Sequence, residues 1–313
     1  MMSGPETTLR TPCFDTFVAL IGAKSPLQRK AIAAFLQSQG PSHRAHAERF
    51  AEAFVGVLEA RGLDVDYVVD AYLKMCHDML TEQVRFKRTG RYSCGTAADA
   101  YAAVYSSQRD MASYMYALAL SIFLWPNHYR MFDFFLRESR RLADVHSYLE
   151  VGPGHGVFLA ESMRNFPAAT FAAVDISPVS IGIAAYVVAG FTGRTDCAFE
   201  MRDIMAGDLQ CRFDYVVACE VLEHVDDAGA LLGRLRSAMS DGGHLFITTC
   251  ANAPAIDHVF LFESVGHIRD EIRRHGLAIE SELALPVGNF PEAVWERDRV
   301  EINYAAILGR GDG

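Results

Sequence analysis

The sequence predicts an α/β protein with a mostly parallel β-sheet, preceded by an all-α region. From residue 25 to about residue 143, apolar residues recur every three or four positions with little alternation, which is typical of helices. From residue 144 onward, short apolar runs alternate with helical stretches, as they do in βαβ units. A glycine-rich turn joins the first of these runs to a helical segment.

Length and composition predict two domains. The chain has 313 residues, half of them apolar, which is enough for two ordinary cores. The change of pattern near Asp144 predicts a helical domain over residues 1–143 and an α/β domain over residues 144–313. The helical domain is expected to cover the substrate side as a lid. It is also the candidate surface for a homodimer, although the sequence leaves the oligomeric state open.

Charge and cysteine usage narrow the class of protein. The net charge of −10 argues against nucleic acid as a partner, because affinity there depends on Lys and Arg that neutralise phosphates. A small-molecule substrate is favoured. The seven cysteines include no C-x-x-C pair, which argues against a zinc knuckle or a disulfide framework. Without an apolar window long enough for a bilayer, we expect a soluble, cytoplasmic protein that does not contact a membrane.

The helical region shows one apolar stripe and three breaks. The breaks are predicted at Pro41 and Ser42, at residues 62–64 and at residues 90–95. The stripe has helical spacing throughout and consists of Val65, Val68, Val69, Tyr72, Leu73, Cys76, Met79 and Leu80.

Six apolar runs are candidate strands of the sheet. They cover residues 148–151, 171–174, 213–218, 245–249, 278–285 and 301–308. The last two are joined by a connection that contains Pro and Gly rather than a helix. We therefore expect an antiparallel hairpin at the end of the chain.

The glycine turn is the first motif with a chemical meaning. The first strand runs into E-V-G-P-G-H-G, residues 150–156, and then into a helical segment over residues 157–165. Glycines allow a tight turn and a close approach of a ligand to the main chain, while the helix start offers free N–H groups. In a dinucleotide fingerprint, G-x-G-x-x-G, the third glycine would stand where Val157 is. This spacing disfavours NAD.

The turn resembles the first motif of class I S-adenosylmethionine-dependent methyltransferases, E/D-x-G-x-G-x-G at the end of the first strand. The resemblance extends over about residues 147–310 and implies a Rossmann-like, seven-stranded, mostly parallel sheet. It also implies that Glu150 supports the turn and the amino group of the cofactor. The methionine portion of S-adenosylmethionine would pack against Gly152, Pro153, Gly154 and Gly156.

Two acidic positions further along fit the same cofactor. Asp175 closes the second strand, 23 residues after Gly152, where a carboxylate can accept hydrogen bonds from both ribose hydroxyls. Ile176 follows it and is assigned to the cofactor site as well. The resemblance implies that Asp203 accepts from the adenine amino group and that Ile204 covers the ring.

Each of these features has a simpler interpretation by itself. A glycine-rich turn is often only a turn, and Asp175 or Asp203 could each be a helix cap. The three features in register with one another favour a cofactor site over that interpretation.

The fourth strand ends in A-C-E-V-L-E-H-V, residues 218–225, which resembles the corresponding segment of the ubiquinone-biosynthesis O-methyltransferases. This edge of an α/β sheet is where ligands bind. If a helical turn begins at Glu220, then Glu220, Glu223 and His224 converge on one face. Glu220 is also assigned to the cofactor site.

Three roles are open for this cluster. His224 is a candidate general base, because its ordinary pKa suits proton removal near neutral pH. Alternatively, the carboxylates and the imidazole bind a divalent ion that orients and acidifies the substrate. A structural interpretation, in which Glu223 and His224 only anchor the helix, remains the alternative to both.

The loop after the fifth strand, N-A-P-A-I-D-H-V-F-L-F, residues 252–262, resembles a loop that lies over the reaction centre of small-molecule methyltransferases. Since the fifth strand neighbours the fourth in this fold, His258 is expected to approach His224. A metal site would then contain Glu220, Glu223, His224 and His258. A single His is more often structural, but a second His in a predicted catalytic loop favours function.

Aromatic and polar residues cluster at the end of the helical region. Most are expected in the core, since aromatics at helical spacing usually are. The resemblance implies that N-terminal helices roof the substrate pocket, so a few should line it. The candidates are Tyr114, Tyr116, Trp125, Asn127 and His128.

The predicted function is transfer of the methyl group of S-adenosylmethionine to a small metabolite, of the kind found in secondary metabolism. O-, N- and C-methylation are all open, and one divalent ion is a second candidate cofactor. A non-catalytic S-adenosylmethionine-binding or scaffold protein is the alternative from another class, because a fold does not settle activity. An NAD oxidoreductase is the weaker third option.

Overall fold

The computed structural model describes residues 11–105, 107–207, 209 and 211–311. The first ten and last two residues of the predicted domains lie outside this range. The eleven α-helices are α1 (Pro12–Lys24), α2 (Pro26–Gln37), α3 (Pro41–Ala60), α4 (Val65–Thr89), α5 (Ala97–Ala100), α6 (Gln108–Leu124), α7 (Pro126–Ser139), α8 (Val157–Asn165), α9 (Pro178–Thr192), α10 (Ala228–Ala238) and α11 (Val265–Arg274) among the described residues.

The strands form one seven-stranded sheet of order β3-β2-β1-β4-β5-β7-β6. Strands β1 to β5 are parallel, and β7 is antiparallel to both β5 and β6, which confirms the mostly parallel sheet and the hairpin at its end. The strands are β1 (Ser147–Val151), β2 (Thr170–Asp175), β3 (Ala198–Met201), β4 (Phe213–Cys219), β5 (Met239–Ala251), β6 (Leu277–Pro286) and β7 (Ile302–Arg310).

Helix ends in the N-terminal region follow local chemistry. Ser25 and Asp64 cap α2 and α4, since each side chain accepts a hydrogen bond from the main-chain N–H three residues later. Helix α4 ends at Gly90, whose φ of 68° lies in the left-handed region. The predicted breaks at residues 41–42, 62–64 and 90–95 therefore coincide with helix boundaries.

Strand β3 is absent from the six apolar runs in the sequence. It is an edge strand of only four residues, and three of them are exposed. An edge strand with solvent on its surface needs no apolar run, so hydrophobicity gives little signal there.

Successive residues of the central strands face opposite sides of the sheet. Tyr215 and Val217 pack into one hydrophobic cluster with the N-terminal helices, whereas Val216 and Ala218 pack into a second cluster with α10 and α11. The sheet is thus covered by helices on both faces, as parallel strands require.

The N-terminal helices form part of the first cluster rather than a separate core. Phe135 of α7 lies with its ring centroid 5.0 Å from that of Phe246 in β5. Helix α3 meets α9 so closely that a Cβ added at Gly190 would lie 2.5 Å from Val57. The boundary predicted after residue 143 therefore runs through continuous packing, and α7 belongs to the layer that covers the sheet.

Within the described residues, no helix combines the length and the apolar character that crossing a bilayer requires.

Candidate active site

A cavity of about 1410 Å³ lies at the carboxyl ends of β1, β2, β4 and β5, roofed by the N-terminal helices. Single ligand sites usually occupy about 300–1,000 Å³, so this volume has room for a cofactor and a second molecule. The cavity is lined by most of the predicted site residues, namely Glu150, Gly152, Pro153, Gly154, Asp175, Ile176, Asp203, Ile204, Glu220, His224 and His258.

The glycine turn has a backbone that only glycine adopts readily. Gly152 has φ of 68°, and a Cβ there would lie 2.8 Å from Cγ2 of Val221. Gly156 has φ of 73°, and its Cβ would lie 2.7 Å from Cα of Ala184 in α9. Gly156 thus permits the packing of α8 against α9, behind the surface that faces the cavity.

Glu150 precedes the turn and is deeply placed. Its side chain is 2% exposed, and its Oε2 accepts a hydrogen bond of 2.5 Å from the Tyr148 hydroxyl. Burial raises the pKa of Glu150 to about 8, and the bond from Tyr148 opposes this shift. Glu150 is therefore a buried acid next to the turn, and its pKa lies well above the usual range of a carboxyl group.

Asp175 ties the second strand to the glycine turn. Its Oδ1 accepts a 2.8 Å hydrogen bond from the N–H of Ser177, and the carboxylate also accepts from the N–H of Gly154. Burial raises the pKa of Asp175 to about 6, although these donors favour the charged form. The adjacent Ile176 is 48% exposed and offers an apolar surface beside the carboxylate.

Asp203 caps a turn and also borders the cavity. Its Oδ1 accepts a 2.8 Å hydrogen bond from the N–H of Met205 and caps a short 3₁₀ turn. The side chain is nevertheless exposed and borders the cavity next to the buried Ile204. The cap thus leaves Asp203 oriented at the cavity wall.

The turn after β4 differs from the predicted one. Glu220 has φ of 51°, in the left-handed region, and the 3₁₀ turn begins only at Leu222. The chain must leave the sheet sharply at Glu220, whose N–H donates to Oγ1 of Thr248 in β5 at 3.0 Å. The expectation of a helical turn starting at Glu220 is therefore wrong.

The carboxyl groups of Glu220 and Glu223 nevertheless meet. Oε2 of Glu223 accepts a 2.8 Å hydrogen bond from Oγ1 of Thr249. Oε1 of each glutamate is buried, and no donor among the described residues reaches either atom. Burial raises the pKa of both acids, and for Glu223 the charge of Glu220 adds to the effect. The two carboxyl groups lie within hydrogen-bond reach of each other, and two buried carboxyl groups in contact require a shared proton or a cation.

His224 and His258 lie side by side, with ring centroids 5.0 Å apart. Nδ1 of His224 is 3.0 Å from the main-chain oxygen of Asp257, and Nδ1 of His258 is 2.7 Å from that of Ala253. A carbonyl only accepts, so each Nδ1 carries the hydrogen and each neutral ring has its lone pair on Nε2. Burial, followed by the nearby His224, lowers the pKa of His258 to about 4.

Three of the four proposed metal ligands converge. One ligand atom each from Glu223, His224 and His258 lies within 4.8 Å of the others, whereas Glu220 is outside this group. Two ligands that each bind an ion at about 2.1 Å lie at most about 4 Å apart, so a small movement would complete the site. Imidazole nitrogens suit a cation chemically, as does Oε1 of Glu223, which accepts no hydrogen bond from a described residue.

Asp257 is a site residue that sequence reasoning did not select. Its main-chain oxygen holds His224, and its carboxylate accepts a hydrogen bond from the Tyr114 hydroxyl of α6. The only sequence signal was its position next to His258. Trp125, Asn127 and His128 also line the cavity, whereas Tyr116 is in the core.

Residues 125–282, half of the chain, match a protein-family model described as a methyltransferase domain. The chain belongs to this family. The match begins at the first turn of α7, which agrees with the packing of that helix on the sheet.

The chain is similar to curated proteins over about a third of its length. It is 34% identical over 101 residues to the ubiquinone biosynthesis O-methyltransferase of Bradyrhizobium sp. (strain ORS 278), covering 32% of this chain and 38% of the relative. The corresponding protein of Xanthomonas euvesicatoria pv. vesicatoria (strain 85-10) is 32% identical over 107 residues, covering 34% and 44%. The methyltransferase thus spans less than half the length of either relative.

A solved structure shares the fold of the methyltransferase. The N-methyltransferase NodS from Bradyrhizobium japonicum WM9, in complex with S-adenosyl-L-homocysteine, superposes with a TM-score of 0.52 at 17% identity. The superposition covers 66% of this chain and 98% of NodS. It supports the Rossmann-like class I methyltransferase fold.

Proposed function

We propose that this protein transfers the methyl group of S-adenosylmethionine to a small-molecule acceptor. The observation that carries the proposal is the single cavity, in which the glycine turn and Asp175 face the same space as His224 and His258. A scaffold protein would need the cofactor half of this cavity but not the histidine pair at its other end.

The cofactor half follows from the chemistry of its lining. The carboxylate of Asp175 suits two ribose hydroxyls, and Ile176 suits the apolar face of the nucleoside. Asp203 and Ile204 would hold the adenine, while the methionine portion would lie on the glycine turn. Glu220, the residue after β4, also lines the cavity.

The acceptor half needs orientation and proton removal. When bound, S-adenosylmethionine supplies a methyl group on a positive sulfur; the acceptor's electron pair forms the new bond to carbon, and the S–C pair remains on sulfur. Nε2 of His224 would take the acceptor's proton, because Asp257 keeps the hydrogen of the neutral ring on Nδ1. The N-terminal helices would exclude water.

A divalent ion held by Glu223, His224 and His258 is a second proposal. The buried Oε1 of Glu223, which no described donor reaches and which belongs to the converging group, favours it. Such an ion would acidify and orient an acceptor oxygen. This arrangement would suit O-methylation, in keeping with the names of the curated relatives, or C-methylation of an enolisable acid.

Turnover separates the enzyme from a scaffold. Purified protein incubated with S-adenosylmethionine and a mixture of phenols, hydroxy acids, keto acids and amines should release S-adenosylhomocysteine above the rate without acceptor. Calorimetric binding of S-adenosylhomocysteine with no turnover of any acceptor class would favour the scaffold. A titration with NAD and NADH that shows no binding would dispose of the oxidoreductase.

All seven cysteines are free thiols, and we propose a reducing, cytoplasmic location on that ground.

A further inference from the structure

A second pair of histidines faces the cavity beside the glycine turn. His155 lies within the turn, between Gly154 and Gly156, and His128 lies in the first turn of α7. Both line the same cavity, and they are close enough for a charge on His128 to lower the pKa of His155. Neither residue has a part in the proton removal or the metal site proposed above.

Hydrogen bonds define which ring nitrogen of His155 carries its hydrogen. Nδ1 of His155 lies 3.2 Å from the main-chain N–H of Val157, which can only donate. Nδ1 is therefore the acceptor of a neutral ring, and Nε2 carries the hydrogen.

His128 has the opposite arrangement. Its Nδ1 lies 2.8 Å from Oγ of Ser121, and that hydroxyl donates its one hydrogen to the main-chain oxygen of Leu118 at 2.7 Å. Ser121 must then accept from Nδ1–H, which leaves the lone pair of His128 on Nε2.

The pair thus presents one neutral donor and one neutral acceptor. Burial lowers the pKa of each ring to about 4, with His128 adding to the effect on His155, so both are uncharged near pH 7. Among the described residues, the hydrogen bonds of these two rings are made through Nδ1, and both residues line the cavity. A donor at Nε2 of His155 and an acceptor at Nε2 of His128 indicate a ligand that carries both an acceptor group and a donor group.

The aminoacyl end of S-adenosylmethionine has this combination, because its carboxylate only accepts and its ammonium only donates. Glu150 is the acidic residue nearest the start of the turn, but it is 2% exposed and already bonded to Tyr148. The ammonium group therefore needs a further acceptor on the cavity wall.

We infer that His155 and His128 recognise the aminoacyl end of the cofactor, with Nε2–H of His155 donating to its carboxylate and Nε2 of His128 accepting from its ammonium group. The inference rests on the proposed function. It assigns cofactor recognition jointly to the glycine turn and to α7, so that the roof of the cavity takes part in binding.

The test compares two ligands by calorimetry on the full chain: S-adenosylhomocysteine, and 5′-deoxy-5′-methylthioadenosine, which lacks the aminoacyl group. His155→Asn keeps an acceptor for the Val157 N–H but loses the donor at Nε2. His128→Asn keeps the donor to Ser121 but loses the Nε2 acceptor. Each substitution should lower the affinity for S-adenosylhomocysteine about tenfold or more. The affinity for methylthioadenosine should remain within about twofold of the wild-type value.

His155→Gln, which can restore a donor near the Nε2 position, should recover part of the lost affinity. His146→Asn, at an exposed position before β1, serves as the matched control and should change neither affinity. An equal loss of affinity for both ligands would overturn the inference and favour a structural role of these residues in the turn. Unchanged affinity for both would also overturn it. If wild-type protein binds neither ligand, the proposed function fails, and this inference fails with it.

Discussion

Nδ1 of His224 lies 3.0 Å from the main-chain oxygen of Asp257, a contact between the loop after β4 and the loop after β5. The carbonyl fixes both the ring orientation and the position of its hydrogen. The position of Nε2 of His224, the proposed base, is thereby set by a loop 33 residues further along the chain.

This contact predicts the outcome of His224→Asn. The asparagine amide can still donate to Asp257, but the Nε2 lone pair is lost, so turnover should fall by about 10²-fold or more. Affinity for S-adenosylhomocysteine should remain within about twofold. Release of S-adenosylhomocysteine from an active acceptor measures the first quantity and calorimetry the second. Wild-type turnover in this variant would exclude both a base and a ligand role for His224.

Metal removal separates the ion from the base. Protein purified without a polyhistidine tag should contain one divalent ion, and chelation should abolish turnover until a single added metal restores it. His258→Ala should lose the ion, whereas His244→Ala, which removes a surface partner of Glu280, should retain it. Full turnover in metal-free protein would reject the ion and leave His224 as a base.

Asp175 predicts the pH dependence of cofactor binding. In the proposed function, ribose hydroxyls donate to its ionised form, and burial raises the pKa of the unliganded carboxyl to about 6. Affinity for S-adenosylhomocysteine should therefore be constant well above pH 6 and fall as the pH drops through this value, approaching about tenfold per unit. Asp175→Asn should bind more weakly and lose this dependence. The same slope in wild type and variant would assign it to another group.

The packing of α7 predicts which fragment folds. Removing residues 1–143 strips Phe135 from Phe246 and exposes one face of the sheet, so the remaining fragment should be insoluble or lack a cooperative thermal transition. In the full chain, Phe135→Ala should cost about 3–5 kcal/mol of unfolding free energy, since Phe135 is 1% exposed. A soluble fragment of residues 144–313 that binds S-adenosylhomocysteine would support the domain boundary predicted from the sequence and contradict this expectation.

The glycine turn and the acid at the end of β2 could be predicted because their signals are local. Gly152 and Gly156 need positive φ, and Asp175 ends a strand, so the spacing of these residues along the chain already encodes the turn and its acid. Strand β3 escaped prediction because an exposed edge strand carries little hydrophobic pattern.

The arrangement of residues around Glu220 and Asp257 could not be predicted, because it depends on contacts between distant segments of the chain. Periodicity suggested a helical turn from Glu220, but the hydrogen bond from its N–H to Thr248 in β5 holds the residue in the left-handed region. The role of Asp257 required knowing that its carbonyl meets one loop and its carboxylate meets α6. Neither contact of Asp257 can be predicted from the residues next to it in the sequence.

The close approach of Gly190 and Val57 limits how this protein can be redesigned. One way to change acceptor preference would be to graft the N-terminal helices of a relative onto this sheet. Such a graft would have to replace both surfaces of the contact between α3 and α9. A grafted α3 with a residue bulkier than Val57 opposite Gly190 would be pushed away from α9. The same would follow if α9 carried any residue other than glycine at position 190. The N-terminal helices and the surface of α9 that they contact therefore have to be exchanged together, so these helices are not an interchangeable module.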